Sequence, residues 1–117
     1  MFDYFGWIVE AKIRDGKQDD FKNVVAEIVH DSSAEEGTLN YQYFVSAEGD
    51  VLVLERFCDI ASADQHIDTW EKYADRWVAA AEPTRMVHLG QIPDQLRERH
   101  AALAPKLLGA FAGFEKR

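Results

Sequence analysis

Hydrophobic and polar positions change their period several times along the chain, and each change predicts a new structural element. The first stretch alternates, which predicts a strand over 7–13 with one apolar face at Trp7, Val9, Ala11 and Ile13. After the Asp15-Gly16 turn the period becomes helical, with an apolar stripe at Phe21, Val24, Val25, Ile28 and Val29. The chain therefore begins with a strand and an amphipathic helix, which we expect to end before Gly37.

Two stretches rich in aromatic and aliphatic residues follow, Leu39–Ser46 and Val51–Cys58. This composition is typical of strands, and the short polar loop between them predicts an antiparallel hairpin.

The register of this hairpin decides which side chains share a face. A four-residue loop would pair Tyr43 with Leu54, Tyr41 with Arg56, and Gln42 with Glu55. One face would then carry Tyr41, Tyr43, Leu54 and Arg56, and the other would carry Asn40, Gln42, Phe44, Glu55 and Phe57. A slip of one residue exchanges the partners, and the pattern leaves open which face looks towards the helices.

The second half of the chain predicts another helix and another strand. Ser62-Ala63-Asp64-Gln65 has the form of a capping box, so we expect a helix over 63–81 that ends before Pro83. Its inward stripe is Ala63, His66, Ile67, Trp70, Ala74, Trp77 and Ala81. A strand over 85–92 follows, then a short helix over 94–103 and an apolar tail. We expect the tail to pack on the sheet, the mouth of a pocket or a partner subunit.

The order strand, helix, strand, strand, helix, strand predicts an α+β fold of the ferredoxin-like βαββαβ type. In that fold two helices cover one face of a four-stranded antiparallel sheet. We expect one domain over 1–117, with a core over 7–92 and a C-terminal helical extension over 93–117. The predicted strands are apolar on both faces, with Tyr43 on one and Phe44 on the other. A second copy of the chain is the simplest cover for the open face, so we expect a homodimer.

Composition narrows the function classes. The formal net charge of −8 argues against nucleic acid or an anionic membrane as a partner. Cys58 is the single cysteine, which excludes an internal disulfide and favours the cytoplasm, and neither a signal peptide nor a membrane-spanning run is recognisable. The residue spacings predict no metal site and no nucleotide cofactor. The acidic pairs Asp19-Asp20 and Glu35-Glu36 are expected on the solvated surface.

Four segments of the chain resemble the antibiotic biosynthesis monooxygenase family: Gly37–Phe44, Glu48-Gly49, Val53–Phe57 and Ala63–His66. The resemblance covers roughly Trp7 to Leu89. It implies a ferredoxin-like protomer that dimerises through its sheets into an α+β barrel. Members of this family include quinol monooxygenases, anthrone oxygenases that act without metal or flavin, and haem-degrading monooxygenases. The haem-degrading members use an asparagine on the first strand, and residues 7–13 contain none, so haem is disfavoured.

The resemblance implies a cofactor-independent monooxygenase that acts on a quinol or polyphenolic aromatic substrate. Similar anthrone oxygenases place an asparagine and a tryptophan at the spacing of His66 and Trp70, which face the sheet one helical turn apart. Such chemistry needs a proton acceptor in a dry apolar pocket, and His66 is a candidate. Both residues also have structural interpretations, Trp70 as core and His66 as a hydrogen-bonded structural residue at the edge of the stripe. Because an edge position leaves little cavity, we expect His66→Ala to keep the fold.

The predicted substrate-binding residues are Tyr41, Tyr43, Glu55, Arg56, Trp77 and His88. Glu55 is either a catalytic base or a paired structural carboxylate, and Arg56 either holds an oxyanion or forms an ion pair. His30 and His100 lie on helices whose polar faces can hold them in solvent. The alternative function is a non-catalytic homodimer that binds a small aromatic molecule.

Overall fold

One β-sheet organises the protein, and helices pack on one of its faces. The computed structural model describes residues 4–116. The strands are β1 (Phe5–Ile13), β2 (Thr38–Val45), β3 (Asp50–Phe57), β4 (Ala81–Gly90) and β5 (Lys106–Leu108). They lie in the sheet in the order β2-β3-β1-β4-β5. The helices are α1 (Gln18–Ser32), α2 (Ile60–Glu71), α3 (Ala74–Ala80) and α4 (Asp94–Arg99), with a 3₁₀ turn at Ala101–Leu103. The α+β ferredoxin-like prediction is confirmed. Within the described residues, none of these helices is long and apolar enough to cross a bilayer.

The central strand β1 pairs antiparallel with both β3 and β4, and its alternating residues place one face against the helices. Trp7 and Ala11 are buried on this inner face, as the alternation predicted. Helix α1 buries Phe21, Val24 and Ile28 against it, and the acidic residues of its first turn are exposed. The helical stripe and the alternating strand therefore meet in one core.

The hairpin register differs by one residue from the prediction. Tyr43 pairs with Val53 and Tyr41 with Glu55, whereas the four-residue loop would have paired them with Leu54 and Arg56. The loop has three residues because Gly49 adopts a left-handed conformation with φ of 88° and its N–H bonds the carbonyl of Ser46 at 3.1 Å.

This register moves side chains between the two faces of the sheet. Glu55 now shares the inner face with Tyr41 and Tyr43, and Arg56 lies on the outer face. The predicted grouping of Arg56 with the two tyrosines was therefore wrong.

The predicted single helix over 63–81 is two helices. Helix α2 begins at Ile60, because the Asp59 side chain caps it by accepting the Ser62 N–H at 2.8 Å. The chain tightens after Glu71, where the Tyr73 N–H bonds the Trp70 carbonyl at 2.9 Å, and α3 then starts at Ala74.

Strand β4 begins at Ala81, before the predicted start at residue 85. Pro83 lies inside this strand and next to the point where the pairing of β1 and β4 shifts between Glu10 and Ala11. Such an irregularity tolerates a proline, which cannot donate a backbone hydrogen bond. The helix therefore ends before Pro83, as predicted, but the strand begins ahead of this proline and not after it.

The C-terminal extension adds a strand to the sheet. Helix α4 ends at Arg99, and the chain then crosses over so that β5 pairs parallel with β4. Leu96 is fully buried against the β1 side of the core, whereas Phe111 and Phe114 are 94% and 80% exposed. Part of the extension therefore closes the core, and its end presents aromatic side chains to the surface.

Candidate active site

His66 lies at the centre of a buried cluster of polar groups. It is 1% exposed, on the side of α2 that faces the sheet. Its Nδ1 is hydrogen-bonded to Oε1 of Glu35 at 3.0 Å, and its Nε2 lies 3.0 Å from Oε1 of Glu55. The second contact is off the direction of the ring N–H bond, so it is a close charge contact rather than an aligned hydrogen bond. His66 is thus held between two carboxylates and is not the tolerant edge residue that the helical pattern predicted.

Glu35 is buried, although it was predicted to lie on the solvated surface. It follows α1 in the turn before β2, where Thr38 donates to its Oε1 at 2.8 Å and Thr69 to its Oε2 at 2.5 Å. Its neighbour Glu36 is exposed, as predicted. A buried carboxylate requires such partners, and those of Glu35 come from α2 and β2. The nearby Thr38, three residues on, was the one local signal for this arrangement.

The environment of His66 favours its charged form. Burial opposes the charge, but Glu55 and then Glu35 outweigh it through their contacts with the ring and their negative charges. The pKa of His66 is consequently raised above its ordinary value. A buried imidazole in contact with two carboxylates is a candidate for general acid–base work.

Two tyrosines and a tryptophan extend the cluster along the inner face. The hydroxyl groups of Tyr41 and Tyr43 are 2.7 Å apart, and the Trp77 Nε1–H donates to the Tyr43 hydroxyl at 2.9 Å. The ring of Tyr41 packs edge-on against His66 with centroids 4.4 Å apart. Burial raises the pKa of both tyrosines, so they are neutral hydrogen-bonding groups at physiological pH.

A cavity of about 270 Å³ opens beside this cluster, between the sheet, α2, α3 and the C-terminal extension. Five predicted site residues line it: Tyr43, Glu55, His66, Trp70 and Trp77. The other walls are largely apolar and include Trp7, Val53, Ile67, Met86 and Leu103. The cavity therefore combines an apolar interior with a few polar groups, the usual composition of a small-molecule site.

The remaining predicted site residues lie outside the lining. Tyr41 is behind Tyr43, and His88 lies on the inner face of β4 beneath His100. Arg56 lies on the outer face, where it pairs with Glu115 at 3.1 Å, because the shifted hairpin register turns it away from the helices. Its use as an ion-pair partner was one of the two interpretations that the sequence allowed.

His100 was expected in solvent, but the structure places it at the cavity. Its ring packs edge-on against Trp7 with centroids 4.6 Å apart, and its Nδ1 lies 3.0 Å from Nε2 of His88. His30 is exposed on α1, as expected. The position of His100 depends on where α4 folds back, which no local pattern around residue 100 reveals.

A larger groove of about 870 Å³ lies at the end of the sheet, along the C-terminal tail. Its charged residues Arg56 and Glu115 already pair with each other. Within residues 4–116, no three His, Cys, Asp or Glu side chains are grouped so that they could hold a metal ion. The smaller cavity beside His66 is therefore the candidate active site.

Comparisons with known proteins agree with this architecture. The family model described as Antibiotic biosynthesis monooxygenase matches residues 5–80. A search of curated proteins gave no match. Among solved structures, MupZ from Pseudomonas fluorescens superposes with a TM-score of 0.85 at 18% sequence identity, over 98% of this chain and 96% of its own.

Two further solved structures are candidate antibiotic biosynthesis monooxygenases. The one from Caulobacter crescentus has a TM-score of 0.67 at 21% identity, over 78% of this chain and 92% of its own. The one from Nitrosomonas europaea has a TM-score of 0.65 at 18% identity, over 76% of this chain and 99% of its own. Identities this low establish a shared fold alone. The match to MupZ differs from these two in extending over nearly the whole chain, C-terminal extension included.

Proposed function

Because the chain belongs to the antibiotic biosynthesis monooxygenase family, we propose that it is a cofactor-independent monooxygenase for a quinol or polyphenolic aromatic substrate. The observation that supports this most strongly is His66, a buried imidazole at the wall of an apolar cavity with a carboxylate oxygen 3.0 Å from each ring nitrogen. The candidate monooxygenases among the structural neighbours favour the same reaction class.

The first step is removal of a phenolic proton from the bound substrate. In neutral His66, the Nδ1–H donates to Glu35, and Glu55, which lines the cavity 3.0 Å from Nε2, relays the phenolic proton to that buried nitrogen. The imidazolium that forms is stabilised by Glu55 and Glu35, in the way that a carboxylate supports the histidine of a catalytic triad. The apolar walls exclude water and so favour transfer of the proton to the protein.

The phenolate then reacts with dioxygen. It gives up an electron, the substrate and oxygen radicals combine in a carbon–oxygen bond, and the oxygen–oxygen bond breaks with release of water. For a quinol the balanced reaction is quinol plus O₂ to hydroxyquinone plus H₂O. One oxygen atom enters the product, the other leaves as water, and the substrate supplies all four electrons.

Oxygen uptake with a panel of hydroquinones and anthrones tests this function. The buffer contains a chelator, and product is identified by mass after reaction with ¹⁸O₂. We expect turnover that falls by about 100-fold or more in His66→Gln, which keeps a polar side chain, since that is the usual scale for losing a general base. Glu48→Gln, in the exposed hairpin loop, is the matched control and should be fully active. Tight binding of the panel without oxygen uptake would instead identify a binding protein.

We further propose that two copies associate through the outer face of the sheet. This face carries Ile8, Phe44, Leu52 and Leu54, and Phe44 is 55% exposed in the single chain. The helices cover the opposite face, so a second copy would bury this apolar surface. In such a dimer the same face of each copy packs against the other, as in any interface related by a two-fold axis.

A further inference from the structure

His100 and His88 form a second pair of imidazoles beside the cavity, apart from the carboxylates that hold His66. His88 is fully buried on β4, opposite Trp7 of β1, and its Nε2 lies 3.0 Å from Nδ1 of His100. At this distance one nitrogen carries a hydrogen atom and the other accepts it. The two rings are therefore joined by one N–H···N hydrogen bond, and which ring donates it sets the tautomer of each.

The surroundings of His88 indicate the direction of this bond. Its Nδ1 is buried and has no hydrogen-bond partner within residues 4–116. If that nitrogen carried a hydrogen atom, a buried donor would be left unpaired, and such orphaned N–H groups are rare. The favourable arrangement thus protonates His88 at Nε2, which donates to Nδ1 of His100. His100 must then carry its own hydrogen atom on Nε2.

We propose that His100 is a substrate-contacting donor whose Nε2–H binds an anionic or carbonyl oxygen of an aromatic ligand, and that His88 is the positioning residue that fixes this tautomer. The Nδ1 of His100 is engaged by His88, so Nε2 is the ring nitrogen left for a ligand in the cavity that His100 lines. The inference rests on the proposed function in so far as the cavity holds an oxygenated aromatic ring.

This assignment gives the two histidines at the cavity different tasks. His66, on α2, accepts the phenolic proton, and His100, on the C-terminal extension, holds an oxygen that carries negative charge. Burial lowers the pKa of His100 to about 3, helped by the nearby His88, Arg99 and His66, so His100 is a neutral donor at physiological pH. A preorganised donor of this kind stabilises charge that develops on a substrate oxygen.

The tautomers are tested by nitrogen NMR of the full-length protein labelled in histidine. We expect His88 and His100 to be neutral and protonated at Nε2 at pH 7. His88→Gln places an amide N–H near the same point and should keep the His100 tautomer, whereas His88→Leu should release it. A His100 protonated at Nδ1, or an imidazolium at pH 7, would overturn the inference.

Ligand contact is tested by calorimetry with two probes, anionic 2-hydroxy-1,4-naphthoquinone and apolar naphthalene. We expect His100→Phe to raise the Kd of the quinone about 10- to 100-fold, the scale of one hydrogen bond to a charged group, with naphthalene binding unchanged. His100→Gln retains a donor and should restore most of the affinity. Equal quinone affinity in wild type and His100→Phe, or no quinone binding by the wild type, would overturn the inference. Histidine-dependent quinone binding without oxygen uptake would support it and refute the monooxygenase function alone.

Discussion

Replacing His66 by alanine should destabilise the protein strongly, because it leaves two buried carboxylates without their shared partner. Glu35 and Glu55 each place an oxygen 3.0 Å from the imidazole, and all three side chains are at most one-tenth exposed. Removing one member of a buried ion pair costs about 3–5 kcal/mol. Glu35 keeps the hydroxyl groups of Thr38 and Thr69, so the larger share of the cost should fall on Glu55.

The free energy of unfolding is measured by urea denaturation at one fixed protein concentration. Tryptophan fluorescence is a suitable signal, since Trp7 and Trp77 are both buried. If the cost comes from an unpaired charge, Glu55→Gln should restore stability in the His66→Ala background while destabilising the wild type. We expect a coupling of about 1–3 kcal/mol from this double-mutant cycle.

Ile67→Ala is the matched control, because Ile67 is the next residue of α2 and is 5% exposed. It should cost about 2–5 kcal/mol through the cavity that it leaves, with little coupling to Glu55→Gln. A His66→Ala protein within about 1 kcal/mol of wild type would refute the reasoning, since a buried charge left unpaired costs more than that. So would a double variant that is no more stable than His66→Ala itself.

Three further predictions concern pH, the cavity wall and assembly. Because the pKa of His66 is raised in the folded protein, protonated His66 stabilises the fold fully below about pH 6.5, and this stabilisation is lost as the pH rises through the raised pKa. The melting temperature should therefore fall on the alkaline side in the wild type, and this fall should be absent in His66→Gln. Trp77→Ala removes a buried ring and should lower the free energy of unfolding by about 3–5 kcal/mol. Trp70 is half-buried, so Trp70→Ala should mainly weaken ligand binding, which calorimetry measures. Phe44→Asp should convert the proposed dimer to monomer in sedimentation, and the same change at exposed Val29 should not; a Phe44→Asp dimer would contradict the proposed interface.

The two histidines that line the cavity have pKa values shifted in opposite directions. The carboxylates beside His66 raise its pKa, whereas burial lowers the pKa of His100 to about 3. Groups whose environments separate their pKa values in this way commonly divide acid, base and hydrogen-bonding roles between them. The proposed roles of proton acceptor and neutral donor agree with that division.

Local patterns were sufficient to predict the order of the elements and one face of the site. Alternation identified β1, helical periodicity identified α1, and the hairpin followed from two apolar stretches around a glycine-containing loop. The same periodicity placed His66 and Trp70 on the side of α2 that faces the sheet, where both line the cavity. These features could be predicted because each depends on neighbours within a few residues in the chain.

The tertiary structure decided the features that depend on distant neighbours. The conformation of Gly49 shortened the hairpin loop by one residue, which exchanged Glu55 and Arg56 between the faces of the sheet. Glu35 became buried because His66, 31 positions further along the chain, and Thr69 offer it hydrogen bonds that water would otherwise supply. His100 reached the cavity because α4 packs against α2 and the 3₁₀ turn after it contacts β4. Burial of a polar side chain depends on the partners that the fold brings to it, and the order of residues around that side chain does not reveal them.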